Sequence, residues 1–142
     1  MGRRRQWRDG NGSLRIAERD GAAAEPGPGL PLVSLDPLVP VDPLVPVEIA
    51  ASYGTRRRGL LGRNGIEGAI LLTPCNSVHT FRMRFAIDVA YLDKKLRVVD
   101  VHTMQPGRLG KPRLRARHVL ESQAGAMADW GVRPGVQLTI EL

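Results

Sequence analysis

The stretch Ala86-Ile87-Asp88-Val89-Ala90-Tyr91-Leu92-Asp93-Lys94-Lys95-Leu96-Arg97-Val98-Val99-Asp100-Val101-His102-Thr103 decides the fold. Two apolar segments, residues 86–92 and 97–103, flank the polar Asp93-Lys94-Lys95, which reads as two strands joined by a turn. Upstream of it the pattern has period two. His79, Phe81, Met83 and Phe85 share one face while Val78, Thr80, Arg82 and Arg84 share the other, so a further strand is predicted to lead into the hairpin.

Working outward, Ala69-Ile70-Leu71-Leu72 between Gly68 and Thr73 is long enough for a buried strand and too short for a helix. Val45, Val47 and Ile49 alternate with Pro46 and Glu48, and the firm part of the domain is expected to begin here. Between these strands, Thr55 is a plausible N-cap for a short helix from Arg56 to Arg63 that turns Leu60 and Leu61 inward and ends at Gly62 and Gly65. Downstream, a proline- and arginine-rich loop over 105–117 precedes a strand at 118–122. The segment from Ala124 to Trp130 reads as a two-turn helix stopped by Gly131, and Val136, Leu138, Ile140 and Leu142 alternate as a half-buried strand. Many short strands with two small helices predict a mainly β chain: one small antiparallel β-sandwich or partly closed barrel.

At 142 residues the chain suits one core. Residues 1–46 read as a basic then Pro/Gly-rich tail and linker, largely disordered, and residues 47–142 as the domain. Within the tail, glycines flank an alternating segment at 12–20 that suits a short outlying strand. The tandem hexad of residues 36–41 and 42–47 favours extended polyproline-like chain and reads first as a lengthened linker, with a proline-motif ligand as the alternative. Cys75 is the only cysteine, which excludes an internal disulfide and most cysteine-based zinc sites and suits a reducing cytoplasm. No secretory h-region follows the N-terminal arginines and no apolar run is long enough to span a membrane, so a soluble cytoplasmic protein is expected. The net charge of +7 favours an anionic partner without choosing one.

Several motifs taken together, Gly59-Leu60-Leu61-Gly62-Arg63, Ser77-Val78-His79-Thr80-Phe81, residues 83–93, Val119-Leu120-Glu121 and Ala124-Gly125, resemble the successive signatures of domain-of-unknown-function family 192, also called uncharacterised protein family 0127. The resemblance spans about positions 47 to 142 and implies a compact β-sandwich or barrel-like domain, with no reaction attached. Most members carry a Trp-Met-Lys-Asn-Thr stretch and a proline two residues before the aspartate. Here Phe81-Arg82-Met83-Arg84-Phe85 and Ala86 stand in those places, similar to a shorter, histidine-containing form of high-GC actinobacterial members.

The first functional reading is a non-enzymatic binding or accessory module. Its rim is formed by His79, Thr80, Arg82, Arg84, Arg63, His102 and Glu121 and takes a small polar ligand or a partner peptide; no cofactor or metal is invoked. Asp88, flanked by Ile87 and Val89, needs hydrogen-bond donors if buried, and Arg82, Arg84 and the amides of residues 79–84 are the nearest in sequence. It reads as a structural post pinning that loop. The alternative is a hydrolase-like or metal-dependent enzyme using Asp88 with a histidine, His102 foremost. Hairpin register tests this: pairing Leu92 with Leu96 puts Asp88 on the face of Asp100 and His102, and pairing Leu92 with Arg97 puts it on the other. The second register is favoured, with Leu96 standing where relatives often have glycine. A second alternative is nucleic-acid or other polyanion contact through Arg108, Lys111, Arg113, Arg115 and Arg117, with few aromatic residues for base stacking. Cys75 beside His79 reads as a small buried thiol rather than a nucleophile.

Overall fold

A computed structural model describes residues 6–17 and 44–142. The hexad, apart from residues 44–47, and most of the tail lie outside the described residues. In chain order the elements are β1 (Gly10–Ala17), β2 (Leu44–Ala50), α1 (Tyr53–Arg58), β3 (Ala69–Leu72), β4 (Ile87–Leu92), β5 (Val98–Met104), β6 (His118–Gln123), α2 (Ala126–Trp130) and β7 (Gln137–Glu141). They form one seven-stranded sheet in the order β5-β4-β6-β3-β2-β1-β7. Every neighbouring pair is antiparallel except β2 and β3, which run parallel. The sheet curls until its two edge strands meet at one end, where Val98 N donates to Val136 O at 2.9 Å and Leu138 N to Leu96 O at 3.0 Å. Of the two architectures expected, the partly closed barrel is the one adopted.

Because side chains alternate along each strand, the curled sheet has two covered faces. The inner face packs Val47, Ile49, Leu71, Leu120, Leu138 and Ile140 with Leu14 and Ile16 of β1. Facing outward, Ile70, Leu72, Ile87, Val89, Tyr91 and Val119 pack beneath Leu60, Val78 and Phe85 from the connecting segments. Each fully buried Leu or Ile contributes about 1.5–3 kcal/mol. The strand expected at 12–20 is therefore no outlier: β1 pairs with both β2 and β7, and its Leu14 and Ile16 are core.

Three local expectations give way to tertiary contacts. The first helix starts earlier, at Tyr53, with Ser52 as N-cap and Gly59 (φ 45°) ending it. Asp9 accounts for the shift: its carboxylate accepts from Ala51 N at 2.7 Å, Ser52 N at 2.9 Å and the Thr55 hydroxyl at 2.9 Å, partners no local pattern announces. Second, residues 78–85 form no strand. Val78 and Thr80 are buried, His79 and Phe81 are exposed, and Arg82 turns the chain with φ 62°, so the expected faces are reversed at the start of the segment and lost after it. Third, the hairpin register differs from both versions considered. Leu92 pairs with Val98, a bulge follows, and Tyr91 pairs with Asp100, Val89 with His102 and Asp88 with Thr103. Leu96 has φ 66°, the left-handed conformation expected where relatives place glycine. Asp93 Oδ1 stabilises the turn by accepting from Lys95 N at 2.8 Å and Arg97 N at 3.0 Å.

Candidate functional site

Two connections that are far apart in sequence lie side by side over the outer face. Cys75 N donates to Arg117 O at 2.9 Å, Arg113 N to Asn76 O at 2.9 Å, Gly110 N to Val78 O at 2.8 Å and Thr80 N to Arg108 O at 2.7 Å. The buried Thr80 hydroxyl completes the zip by donating to Gln105 O at 2.6 Å and accepting from Arg108 N at 2.8 Å. Residues 75–80 and 105–117 are thus one double loop, which leaves few backbone groups unmatched beneath it.

Between the double loop and β5 lies a cleft of about 320 Å³, lined by Tyr91, His102, Thr103, Gln105, Arg108, Gly110 and Arg113 among others. The register builds its floor: Tyr91 of β4 stands beside Asp100 of β5, and His102 one row further along stands beside Val89. Asp100 Oδ2 lies 2.8 Å from His102 Nε2 and accepts from Arg113 Nε at 3.1 Å. Burial works against ionisation of Asp100, yet the hydrogen bonds from His102 and Arg113 hold its carboxyl below the usual range. The Arg113 guanidinium also stacks over the Tyr91 ring, 4.6 Å from its centroid, and donates to Lys111 O at 2.6 Å. Tyr91 is only 1 % exposed, and among the described residues nothing hydrogen-bonds its hydroxyl. Burial raises its pKa against the pull of Arg113. Gly110 caps it closely, since a Cβ there would stand 2.9 Å from the hydroxyl and 3.0 Å from Val78 O.

The residues singled out from sequence are dispersed. His79 and Phe81 stack on the outside at 5.1 Å, Arg82 is exposed, and Arg84 Nη1 donates to Asn64 Oδ1 at 3.3 Å. Arg63 is held by Glu48 through donors at 2.6 and 3.2 Å. Glu121 stands in register with Ile70 and Val89 inside the outer core, and no side chain among the described residues ion-pairs or hydrogen-bonds with it. Burial pushes its pKa from 4.5 to about 7. The expected rim of His79, Thr80, Arg82, Arg84, Arg63 and Glu121 is therefore not one surface: Thr80 is a fastener, Glu121 is buried, and Arg63 is engaged elsewhere.

Asp88 is also placed differently. It faces inward with Thr103, on the side of β4 opposite Tyr91 and Val89, so it does not approach His102. Its donors are the Thr103 hydroxyl at 2.6 Å, Gly125 N at 2.8 Å and Met127 N at 3.2 Å, rather than Arg82, Arg84 or the amides of 79–84. It ties down the start of α2, not the 79–84 loop. No group of three or more His, Cys, Asp or Glu that could hold a metal occurs among the described residues. The basic stretch divides, with Arg108 and Arg113 lining the cleft and Arg115 and Arg117 turning toward the β4–β5 turn. Cys75 donates to Ser77 O at 3.1 Å, and burial pushes its thiol pKa up. Sequence reasoning passed over Tyr91, hidden in an apolar run, and Gly110, whose role is only spatial.

A profile of the family DUF192, described as "Uncharacterized ACR, COG1430", matches residues 41–140. The chain belongs to that family. Among curated members it is similar to the UPF0127 protein PH1112 of Pyrococcus horikoshii, 37 % identical over 82 residues that cover 54 % of this chain and 71 % of that protein. It is likewise similar to the UPF0127 protein PYRAB11210 of Pyrococcus abyssi, 36 % identical over 83 residues, 55 % of this chain and 71 % of that one. In fold, it resembles a crystal structure of a protein of unknown function from Novosphingobium aromaticivorans, with a TM-score of 0.65 at 15 % identity, covering 89 % of this chain and 83 % of the other. Among the described residues of this DUF192 member, no helix is long and apolar enough to cross a membrane.

Proposed function

We propose that this DUF192 chain is a non-enzymatic binding module that holds a small anionic ligand in the cleft between β5 and the double loop. The observation that carries the reading is the Tyr91 hydroxyl, which opens at the cleft floor, is hydrogen-bonded by none of the described residues and is flanked by two arginines. A ligand oxygen that accepts from this hydroxyl would add one hydrogen bond, worth about 0.5–1.5 kcal/mol. Arg113 is pre-positioned by Asp100 and Lys111, so little freedom is lost when it meets a carboxylate or phosphate. The volume of about 320 Å³ is at the small end for ligand sites. Cytoplasmic placement is part of this proposal, supported by the single cysteine.

Tyr91→Phe tests it, because the substitution keeps the ring under Arg113 and removes only the hydroxyl. Calorimetric titration with inorganic phosphate, malonate and citrate should give binding by at least one anion to the native chain. In Tyr91→Phe that affinity should fall about 2- to 12-fold with the melting temperature unchanged. Equal affinity in the two proteins, or no binding by any of the three anions, would remove the cleft from consideration.

A further inference from the structure

Residues 75–85 and 105–117, the double loop with its continuation to Phe85, contain seven cations and no Asp or Glu. Among the described residues only Arg113 of the seven ion-pairs with a carboxylate. The same segments carry three of the six large apolar side chains that stand in solvent among the described residues: Phe81 is 46 % exposed, Leu109 72 % and Leu114 88 %. Two of the three share a surface. Val78 and Thr80 are buried, so His79 between them points outward, and Leu109, its partner in an isolated bridge, points the same way. Phe81 stacks on the His79 ring at 5.1 Å, which keeps it beside that face. Each apolar tip also has a cation as chain neighbour. Arg82 follows Phe81, Arg108 precedes Leu109, and Leu114 repeats the pattern further along between Arg113 and Arg115.

Charge alone would suit many anions, and the apolar tips are what choose among them. A nucleic acid would take the cations and leave Phe81 and Leu109 in water. A protein interface buries a contiguous core from which charge is depleted, which cations beside every apolar tip do not offer. An anionic bilayer meets both features at once, since apolar side chains enter about 5–10 Å into the boundary of headgroups and acyl chains while its anionic lipids attract the cations beside them. We infer that the outer surface of the double loop docks on an anionic phospholipid bilayer, with Phe81 and Leu109 entering the acyl boundary and Arg82, Arg108 and Lys111 at the headgroup phosphates. The contact is peripheral, made by loop tips. Docking requires nothing of the ligand proposed for the cleft.

The test uses the full chain and vesicles of phosphatidylcholine with and without phosphatidylglycerol. Capture in a flotation assay should need phosphatidylglycerol and weaken with added salt. Arg82→Ala removes a side chain that holds nothing among the described residues and should lower vesicle affinity about fivefold. The double variant Phe81→Ser, Leu109→Ser keeps every cation and should weaken capture about tenfold or more, with the melting temperature nearly unchanged. Phe81→Trp reads insertion directly: lipids brominated on the acyl chains should quench its fluorescence beyond any quenching of Trp7 and Trp130 in the native chain. No capture with phosphatidylglycerol, equal capture without it, equal capture of the double variant, or no added quenching in Phe81→Trp would overturn the proposal. So would polyglutamate binding as tightly as the vesicles, the mark of an acidic protein partner, or a dimer in sedimentation velocity that the double variant dissociates. Release of the vesicles by soluble glycerophosphoglycerol would also overturn it, by showing that a lone headgroup and not a surface is bound.

Discussion

The two faces of the sheet treat a buried carboxylate in opposite ways. On the inner face Asp88 accepts three hydrogen bonds, from Thr103 and from two amides at the start of α2. On the outer face Glu121 receives none among the described residues, and its neighbour in the same core, Tyr91, has a hydroxyl equally without a partner. Low dielectric strengthens a satisfied polar group and penalises an unsatisfied one. The inner face is thus arranged for stability. The outer face, where two loops form a cleft, holds Glu121 and the Tyr91 hydroxyl without such donors or acceptors among the described residues.

The sharpest way to break this comparison is Asp88→Ala, which strands three donors. It should cost about 3–5 kcal/mol by denaturant unfolding, with the first loss of amide protection at residues 125–127. A cost below about 1 kcal/mol would mean that the inner network does little. Next comes Glu121→Leu, predicted to act in the opposite direction. The folded pKa of Glu121, about 7, lies above its ordinary 4.5, so the native state holds the extra proton between those values. Its contribution is therefore fully present below about 4.5 and lost progressively as pH rises to about 7, a difference of about 3 kcal/mol. Unfolding titrations should show the stability of Glu121→Leu relative to the native chain rising by about 2–3 kcal/mol between pH 5 and pH 8. A gain of the same size at both would show that the carboxyl is not the cause. Smallest is Gly110→Ala, where the new Cβ meets the Tyr91 hydroxyl and Val78 O. A cost of about 1–3 kcal/mol is expected, together with weaker anion binding at the cleft.

Much of the scaffold was legible because each strand carries its own alternation. Val45, Val47 and Ile49 turn inward as their spacing indicates, and Gly131 ends α2 with φ 77°. The hairpin turn was legible in part: Leu96 takes the left-handed conformation, but the bulge beyond Tyr91 moves the register. The segment 78–85 misled because period two describes hydrophobicity, not pairing. Its backbone bonds instead to a loop 27 to 32 residues further on, and only His79 forms an isolated bridge, with Leu109. The candidate site was harder still. Tyr91 and Asp100 meet only through the bulged β4–β5 register, and Arg113 joins them only through that loop contact.

The zipped double loop has a consequence for descent. The backbones of Val78 and Gly110 and of Asn76 and Arg113 are bonded to each other, and the Thr80 hydroxyl clasps Gln105 and Arg108, so neither loop can lengthen alone without unmatching the other. Insertions and deletions at 76–80 and 105–113 should therefore be inherited as pairs, and lineages that have altered the length of the first loop should carry a compensating history in the second.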